Sequence, residues 1–133
     1  MKYLLDTNAV SALMAGTPAV AQRLAQASRA DVAISQVTAA EIEFGLHYLP
    51  ASNRRRALAS QWAAVAREIA CLAWTDEVSR VFGERKARMQ RRGTGISDFD
   101  LAIAAHAIAS DLIVVTADAA FSRLDVRTEN WLR

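Results

Sequence analysis

The chain has one cysteine, two prolines and no long hydrophobic run, and each shortage excludes something. Cys71 has no second cysteine to pair with, so an intrachain disulfide is excluded, as is usual in a reducing cytosol. No apolar run approaches the roughly 20 residues that a membrane-spanning helix requires. The N-terminus passes from one lysine into an apolar run and an aspartate, which predicts no signal peptide. We therefore expect a cytoplasmic protein without a membrane segment.

Length and composition indicate a folded protein. With 133 residues, of which 53% are hydrophobic, the chain is long enough to bury a sizeable core, and we expect one domain over residues 1–133. The net charge of +2 is small. Its basic residues are clustered, however, in residues 54–56 and 85–92. Either cluster taken alone is typical of a solvated helix face.

Short apolar runs alternate with segments of helical periodicity, which predicts an α/β fold of three layers with a central parallel sheet. Residues 112–115 are the clearest strand, because they are apolar and rich in β-branched side chains. We predict further strands at 3–5, 31–35 and 71–74, with a weak one near Val126. The predicted helices are 9–14, one beginning at Pro18, 38–48, 54–70, one beginning at Thr75, 101–109 and 119–123, with a basic loop at 90–95.

Acidic residues are predicted to meet at one edge of this sheet. They are Asp6 after the first strand, Glu41 in the first turn of the helix 38–48, Asp98 and Asp100 at the start of the helix before strand 112–115, and Asp118 after that strand. Crossover helices run antiparallel to the strands they connect, so their N-termini lie at the edge where the strands end. In open α/β sheets, ligands bind at that edge.

Helix capping is the alternative explanation for these acids. Residues 38–41 fit a capping box, residues 97–100 a looser version of one, and Asp118 can cap the helix that follows it. Capping explains any one of them, but it does not require a shared location. It also leaves unexplained why Asp6 directly follows a buried strand.

Several carboxylates in one place repel one another unless a cation compensates them. Oxygen ligands, without histidine or cysteine at ligand spacing, favour Mg²⁺ or Mn²⁺ over Zn²⁺. Mg²⁺ is typically held by a few carboxylates together with substrate phosphate. Such a site is suited to phosphodiester hydrolysis by a metal-activated water.

Four motifs in order resemble the PIN-domain nucleases, in particular the VapC-type toxins of bacterial toxin–antitoxin pairs. They are the strand followed by Asp6-Thr7-Asn8, the segment Thr38-Ala39-Ala40-Glu41, the helix Asp100-Leu101-Ala102-Ile103-Ala104-Ala105-His106-Ala107, and the segment Val115-Thr116-Ala117-Asp118-Ala119-Ala120-Phe121. The resemblance covers essentially the whole chain. It implies a single PIN domain over residues 1–133 that acts as a Mg²⁺-dependent endoribonuclease.

The resemblance also implies roles for individual residues. Asp6, Glu41, Asp100 and Asp118 would be the catalytic acids, with Asp6, Asp100 and Asp118 holding the metal. Asp98 is an additional acid about 200° around the helix from Asp100, so only one of the two can face the metal, and we favour Asp100. Asn8 and Thr116 are expected to orient the carboxylates. We expect His106 to be a packed core residue and not a base.

Two kinds of partner are expected. RNA phosphates are expected to contact a basic set made of Arg85, Lys86, Arg88, Arg91 and Arg92. Arg54–Arg56 are secondary members of this set. The resemblance implies a cognate antitoxin and a homodimer. The helical segments around Val10–Met14 and Phe44–Leu49 carry more large apolar residues than one face can bury. Phe44, Leu46, Tyr48 and Leu49, for example, do not share a single stripe. They would either line a groove for a partner helix or pack under the loop at 49–50.

Three alternative functions share some of these sequence features. A haloacid-dehalogenase-type phosphatase needs a second aspartate two residues after the first, where this chain has Asn8. A response-regulator receiver needs a phosphoacceptor aspartate near mid-chain and a lysine after a late strand, and the middle of this chain offers neither. The remaining alternative is a non-catalytic PIN-like module that binds RNA or protein, which an incomplete set of acids would favour.

Overall fold

The computed structural model describes every residue from Met1 to Arg133. Its five strands are β1 Tyr3–Leu5, β2 Val32–Ser35, β3 Ala70–Leu72, β4 Ile113–Val115 and β5 Thr128–Glu129. They form one sheet in the order β3-β2-β1-β4-β5, and every pairing is parallel. Strand β1 is central, so the residues that follow β1, β2 and β4 emerge side by side at one edge.

Six α-helices connect these strands: α1 Thr7–Met14, α2 Pro18–Gln26, α3 Gln36–Tyr48, α4 Asn53–Glu68, α5 Asp76–Arg92 and α6 Asp98–Ser110. Two short 3₁₀ helices cover Arg29–Asp31 and Ala119–Leu124. None of the helices is both long and apolar enough to cross a membrane. The predicted α/β architecture with a central parallel sheet is confirmed.

The sheet has a hydrophobic core on each face, because successive strand side chains point to opposite sides. Leu5 packs in the core formed with α1, α2, α3 and α4. Leu4 packs in the other core, with Met89 of α5 and Leu101 of α6. Both leucines are fully buried, and burial of such a side chain is worth about 1.5–3 kcal/mol. The alternation of Leu4 and Leu5 therefore places α1–α4 on one face of the sheet and α5 and α6 on the other.

The predicted start of the third helix was wrong. Helix α3 begins at Gln36 with Ser35 as its cap, because the Ser35 hydroxyl accepts the backbone N–H of Val37 at 3.1 Å. Strand β2 therefore runs into the helix without a loop. The capping box at residues 38–41 does not form: Thr38 is inside the helix, and its buried hydroxyl has no hydrogen-bond partner. Glu41 consequently lies in the second turn and not in the first.

The basic loop predicted at residues 90–95 was also partly wrong. Helix α5 continues through Arg92 and ends on Gly93, whose φ of 66° is the left-handed conformation that glycine adopts readily. Arg91 and Arg92 are therefore in the last helical turn. Elsewhere the predicted boundaries shift by a few residues, and the weak last strand lies at Thr128–Glu129 instead of at Val126.

Candidate active site

Asp6 lies at the centre of the carboxyl edge, between the last residue of β1 and the first of α1. Its side chain is only 3% exposed and accepts the backbone N–H of Ala9 at 2.8 Å. The expectation that capping does not explain Asp6 was wrong, since this contact makes it the N-cap of α1. The cap uses Oδ1 alone, and the Thr116 side chain lies close enough to the same carboxylate to lower its pKa.

Asp100 and Asp118 are close enough to Asp6 to affect its ionisation. Burial raises the pKa of Asp6, and repulsion from Asp100 and Asp118 adds to this rise, although hydrogen bonds from Thr116 and Ala9 oppose it. The pKa of Asp100 is raised by burial and further by Asp118. Neither aspartate forms an ion pair, and nor do Asp118 and Glu41. The site is thus a partly buried group of acids without a protein cation.

Asp98 has a different environment from Asp100. Lys86 Nζ lies 3.2 Å from the Asp98 carboxylate, which is exposed on the outer side of α6. Asp100 is the residue of the two that faces Asp6 and Asp118. The Ser97 hydroxyl caps α6 through the Asp100 backbone N–H at 3.1 Å. The lysine therefore neutralises the additional acid and leaves Asp100 on the inner side.

Glu41 joins the site through a different contact. The Thr7 hydroxyl donates a short hydrogen bond to Glu41 Oε1 and so connects the first turn of α1 to the second turn of α3. Thr7 and Glu41 also line one end of a groove of about 330 Å³ between α1, α3 and α4. Apolar residues form most of its walls, among them Ile42, Leu46 and Leu58. Glu41 thus lies where an acidic site meets an apolar groove.

The two residues expected to orient the carboxylates differ in position. Thr116 is 5% exposed; its hydroxyl accepts the backbone N–H of Asp118 at 2.9 Å, and its side chain lowers the pKa of Asp6. It thereby links two of the acids. Asn8 is exposed on α1, and its side chain has no hydrogen bond to any carboxylate. The structure does not bring Asn8 into the group.

The residues present have the donor chemistry of a magnesium site. All the side-chain donors are oxygens, and burial, with a smaller contribution from repulsion among the acids, raises the pKa values of Asp6 and Asp100. A bound cation would oppose both effects. No three acidic, histidine or cysteine side chains are arranged closely enough to enclose an ion. The oxygen donors are thus present, but they do not enclose an ion-sized site in this structure.

Some side chains of the predicted basic set form ion pairs or hydrogen bonds within the protein, and others do not. Arg85 is only 16% exposed, donates to the Leu124 carbonyl at 3.3 Å and pairs with Glu84 at 3.2 Å. Lys86 pairs with Asp98, and Arg88 with Glu84. The exposed members without an ion pair are Arg91 and Arg92, together with Arg54 and Arg56 at the start of α4.

His106 is buried, as predicted, and it joins three elements. Its Nδ1 lies 3.0 Å from the hydroxyl of Ser35, the cap of α3, and its ring also bonds to the backbone of Ala73. Burial lowers its pKa, although the Ala73 contact opposes this. Sequence reasoning missed Ser35 and Thr7. The available signal was position alone, since each is the hydroxyl residue at or just beyond a strand end.

Two of the large apolar residues on α3 are exposed at the surface. Phe44 is 69% and Tyr48 80% exposed, and their rings stack with centroids 5.6 Å apart. These two residues therefore do not pack under the loop at 49–50, which was one of the two alternatives. Leu46 instead turns into the core and into the wall of the groove.

Comparison with known proteins gives one family and a consistent set of relatives. The sequence model of the PIN domain family matches residues 3–127. The chain is 28% identical to Ribonuclease VapC2 of Haemophilus influenzae, covering 99% of both chains. It is 28% identical to the tRNA(fMet)-specific endonuclease VapC of Shigella flexneri, covering 98% of both. Its structure resembles a chain of VapBC2 from Rickettsia felis bound to promoter DNA, with a TM-score of 0.88, 24% identity and coverage of 98% and 99%.

Proposed function

This chain belongs to the PIN-domain family, and from that premise we propose that it is a Mg²⁺-dependent endoribonuclease, the toxin of a toxin–antitoxin pair. The observation that carries the proposal is the position of Asp6. It is a buried carboxylate at the carboxyl edge of a parallel sheet, beside Asp100 and Asp118, with no protein cation to compensate it. Full-length similarity to proteins named as VapC ribonucleases supports RNA as the substrate.

Asp6, Asp100 and Asp118 would hold the metal. A bound divalent ion lowers the pKa of a coordinated water and neutralises charge that develops on the phosphate. The Thr116 hydroxyl keeps Asp6 oriented and ties it to the Asp118 backbone. Such support from a neighbouring hydrogen bond fixes the direction of a ligand carboxylate.

Glu41 is proposed as the fourth catalytic acid. Its hydrogen bond to Thr7, the residue after Asp6, fixes its distance from the rest of the group. Because Glu41 is held through a hydroxyl and not by a cation, its charge adds to the negative potential of the site. That potential favours metal binding and disfavours approach of phosphate until a cation is present.

The partner is proposed to be an antitoxin segment that occupies the groove beside Glu41. The groove is mostly apolar, and the stacked pair Phe44 and Tyr48 extends the exposed apolar surface on α3. An amphipathic helix would bury such surfaces. We expect the segment to carry a basic residue that compensates the carboxylates and competes with Mg²⁺. We also propose that the protein forms a homodimer in the cytoplasm.

The test is cleavage of total cellular RNA by the purified protein, with mapping of the cut ends. Activity with Mg²⁺, its loss in excess EDTA and its loss in the Asp6→Asn variant are the expected results. Full activity in EDTA would overturn the metal proposal. RNA binding without any cleavage would instead support a non-catalytic PIN-like module.

A further inference from the structure

Trp74 is a large aromatic side chain held at the surface near the acidic edge. It follows β3, so it emerges at the same edge of the parallel sheet as Asp6. Its side chain is 37% exposed, and its Nε1 donates to the Ser79 hydroxyl at 2.6 Å. The ring meets Phe82 edge-on at 6.1 Å and His106 at 6.0 Å. These contacts satisfy the indole N–H and fix the ring in one orientation.

A continuous line of contacts runs from Trp74 to the start of α6. Lys86 Nζ lies 5.9 Å from the centroid of Phe82 and 3.2 Å from Asp98. We call Trp74, Phe82 and Lys86 the aromatic strip. Through Lys86 it reaches Asp98 on the outer side of α6, next in the sequence to Phe99, which is 54% exposed. The strip therefore leads from an exposed indole to the helix whose inner side carries Asp100.

The charge around Trp74 favours a neutral base over a phosphate. The first turn of α5 beside Trp74 carries Asp76 and Glu77, and only Glu77 is paired, with Arg80 at 2.9 Å. Those acids repel phosphate but have little effect on a neutral nucleobase. Lys86, at the other end of the strip, is paired with Asp98 and is therefore not a free cation. The feature that fits single-stranded nucleic acid is the exposed indole ring, on which an unpaired base can stack.

We propose that Trp74 is a base-stacking subsite that binds one unpaired nucleotide of the RNA substrate beside the cleaved phosphodiester. The inference rests on the proposed function and deepens it, since it names the residue that would select unpaired RNA. The faces of a base are covered by its neighbours in a duplex and exposed in a loop or single strand. Stacking tolerates any base, so Trp74 would favour unpaired over paired RNA without reading sequence.

The test combines protein variants with altered RNA. A single-stranded oligonucleotide that the wild-type protein cleaves is bound to protein carrying Asp6→Asn, so that affinity is measured without cleavage. In this background Trp74→Leu should weaken binding at least about fivefold, whereas Trp74→Phe, which keeps a ring, should retain most of the affinity. Oligonucleotides with one abasic position each then locate the stacked base.

One abasic position should weaken binding by a similar factor when Trp74 is present, and have no further effect in the Trp74→Leu protein. Fully additive losses would overturn the proposal, because two groups that contact each other are coupled. Unchanged RNA affinity of the Trp74→Leu variant would also overturn the proposal, even if the oligomeric state of that variant changed. Thermal melting confirms that each variant is folded. If the wild type cleaves RNA but Trp74→Leu does not change RNA affinity, only the stacking subsite is overturned. If the wild type neither binds nor cleaves RNA, the proposed function is overturned as well.

Discussion

The Thr116 side chain lies beside the Asp6 carboxylate, because the backbone N–H of Asp6 donates to the Val115 carbonyl at 3.0 Å and so joins the ends of two adjacent parallel strands. It opposes the rise in the pKa of Asp6 but does not cancel it, because burial has the larger effect. Asp6 thus lies in surroundings that disfavour its charged form. Buried like-charged acids of this kind are typical of functional sites, where stability is lower than it would otherwise be.

Replacing Asp6 by Asn should abolish cleavage and also stabilise the folded protein at neutral pH. A carboxyl group with a raised pKa stabilises the fold only while protonated, and this contribution is lost as pH rises through the folded pKa. Asparagine stays neutral and caps a helix as well as aspartate does. Melting in EDTA at pH 7 should therefore show a higher Tm than for the wild type. Asp98→Asn, which removes an exposed acid paired with Lys86, is the control and should not raise the Tm.

Magnesium should stabilise the wild-type fold, because a ligand that binds only the native state adds RT ln(1 + [L]/Kd) to the free energy of unfolding. At 100 times Kd this is about 2.7 kcal/mol. The measurement is the Tm with and without excess Mg²⁺, for the wild type and for Asp118→Asn. An equal increase in Tm for both proteins would mean that Asp118 is not a ligand.

Arg91→Ala combined with Arg92→Ala should flatten the dependence of RNA affinity on salt. Each neutralised phosphate contributes about 0.7 to the slope of log affinity against log salt for a single strand. Both arginines are exposed and without an ion pair. Arg85→Ala is the contrasting variant: its partly buried side chain bonds to Leu124, so its loss should lower the Tm. An unchanged slope in the double variant would make Arg91 and Arg92 ordinary solvated residues.

Phe44→Ser should weaken binding of the antitoxin and leave RNA cleavage by the free protein intact. Phe44 is stacked on Tyr48 at the surface and carries no charge, so its loss removes apolar area without removing a carboxylate. The experiment compares inhibition by the protein encoded beside this gene for the wild type and the variant. Equal inhibition of both would place the partner elsewhere.

Acidification should destabilise the protein through His106. Its folded pKa is lowered, so its contribution to stability is complete above the unfolded value of about 6.5 and is lost as pH falls through the folded value. His106→Gln should flatten this part of the pH profile of Tm. Ser35→Ala, which removes the α3 cap and the partner of Nδ1, should cost about 1 kcal/mol for the cap alone. Because Asp6 and Asp100 have the opposite pH dependence, the decisive comparison is between proteins, and identical pH profiles of Tm for the wild type and His106→Gln would contradict the assignment.

Several features of this protein follow from local sequence. A strand that passes straight into an aspartate, Pro18 at the first turn of a helix and the caps Ser52, Thr75 and Ser97 are all recognisable because they act within three or four residues. The alternation of apolar runs with helical segments was sufficient for the parallel sheet. A parallel sheet in turn brings the strand ends, and therefore Asp6 and Asp118, to one edge.

Tertiary packing decided what these local signals left open. The family resemblance favoured Asp100 over Asp98, but local sequence signals do not separate them. In the structure Lys86 on α5 pairs with Asp98, and the other acids face Asp100. Thr38 looks like a cap, yet the end of β2 places that role on Ser35. Thr7 meets Glu41 across 34 residues, and His106 meets Ser35 across 71. Such contacts depend on how the helices pack on the sheet. A sequence pattern that spans only a few neighbouring residues cannot show which distant residues will meet.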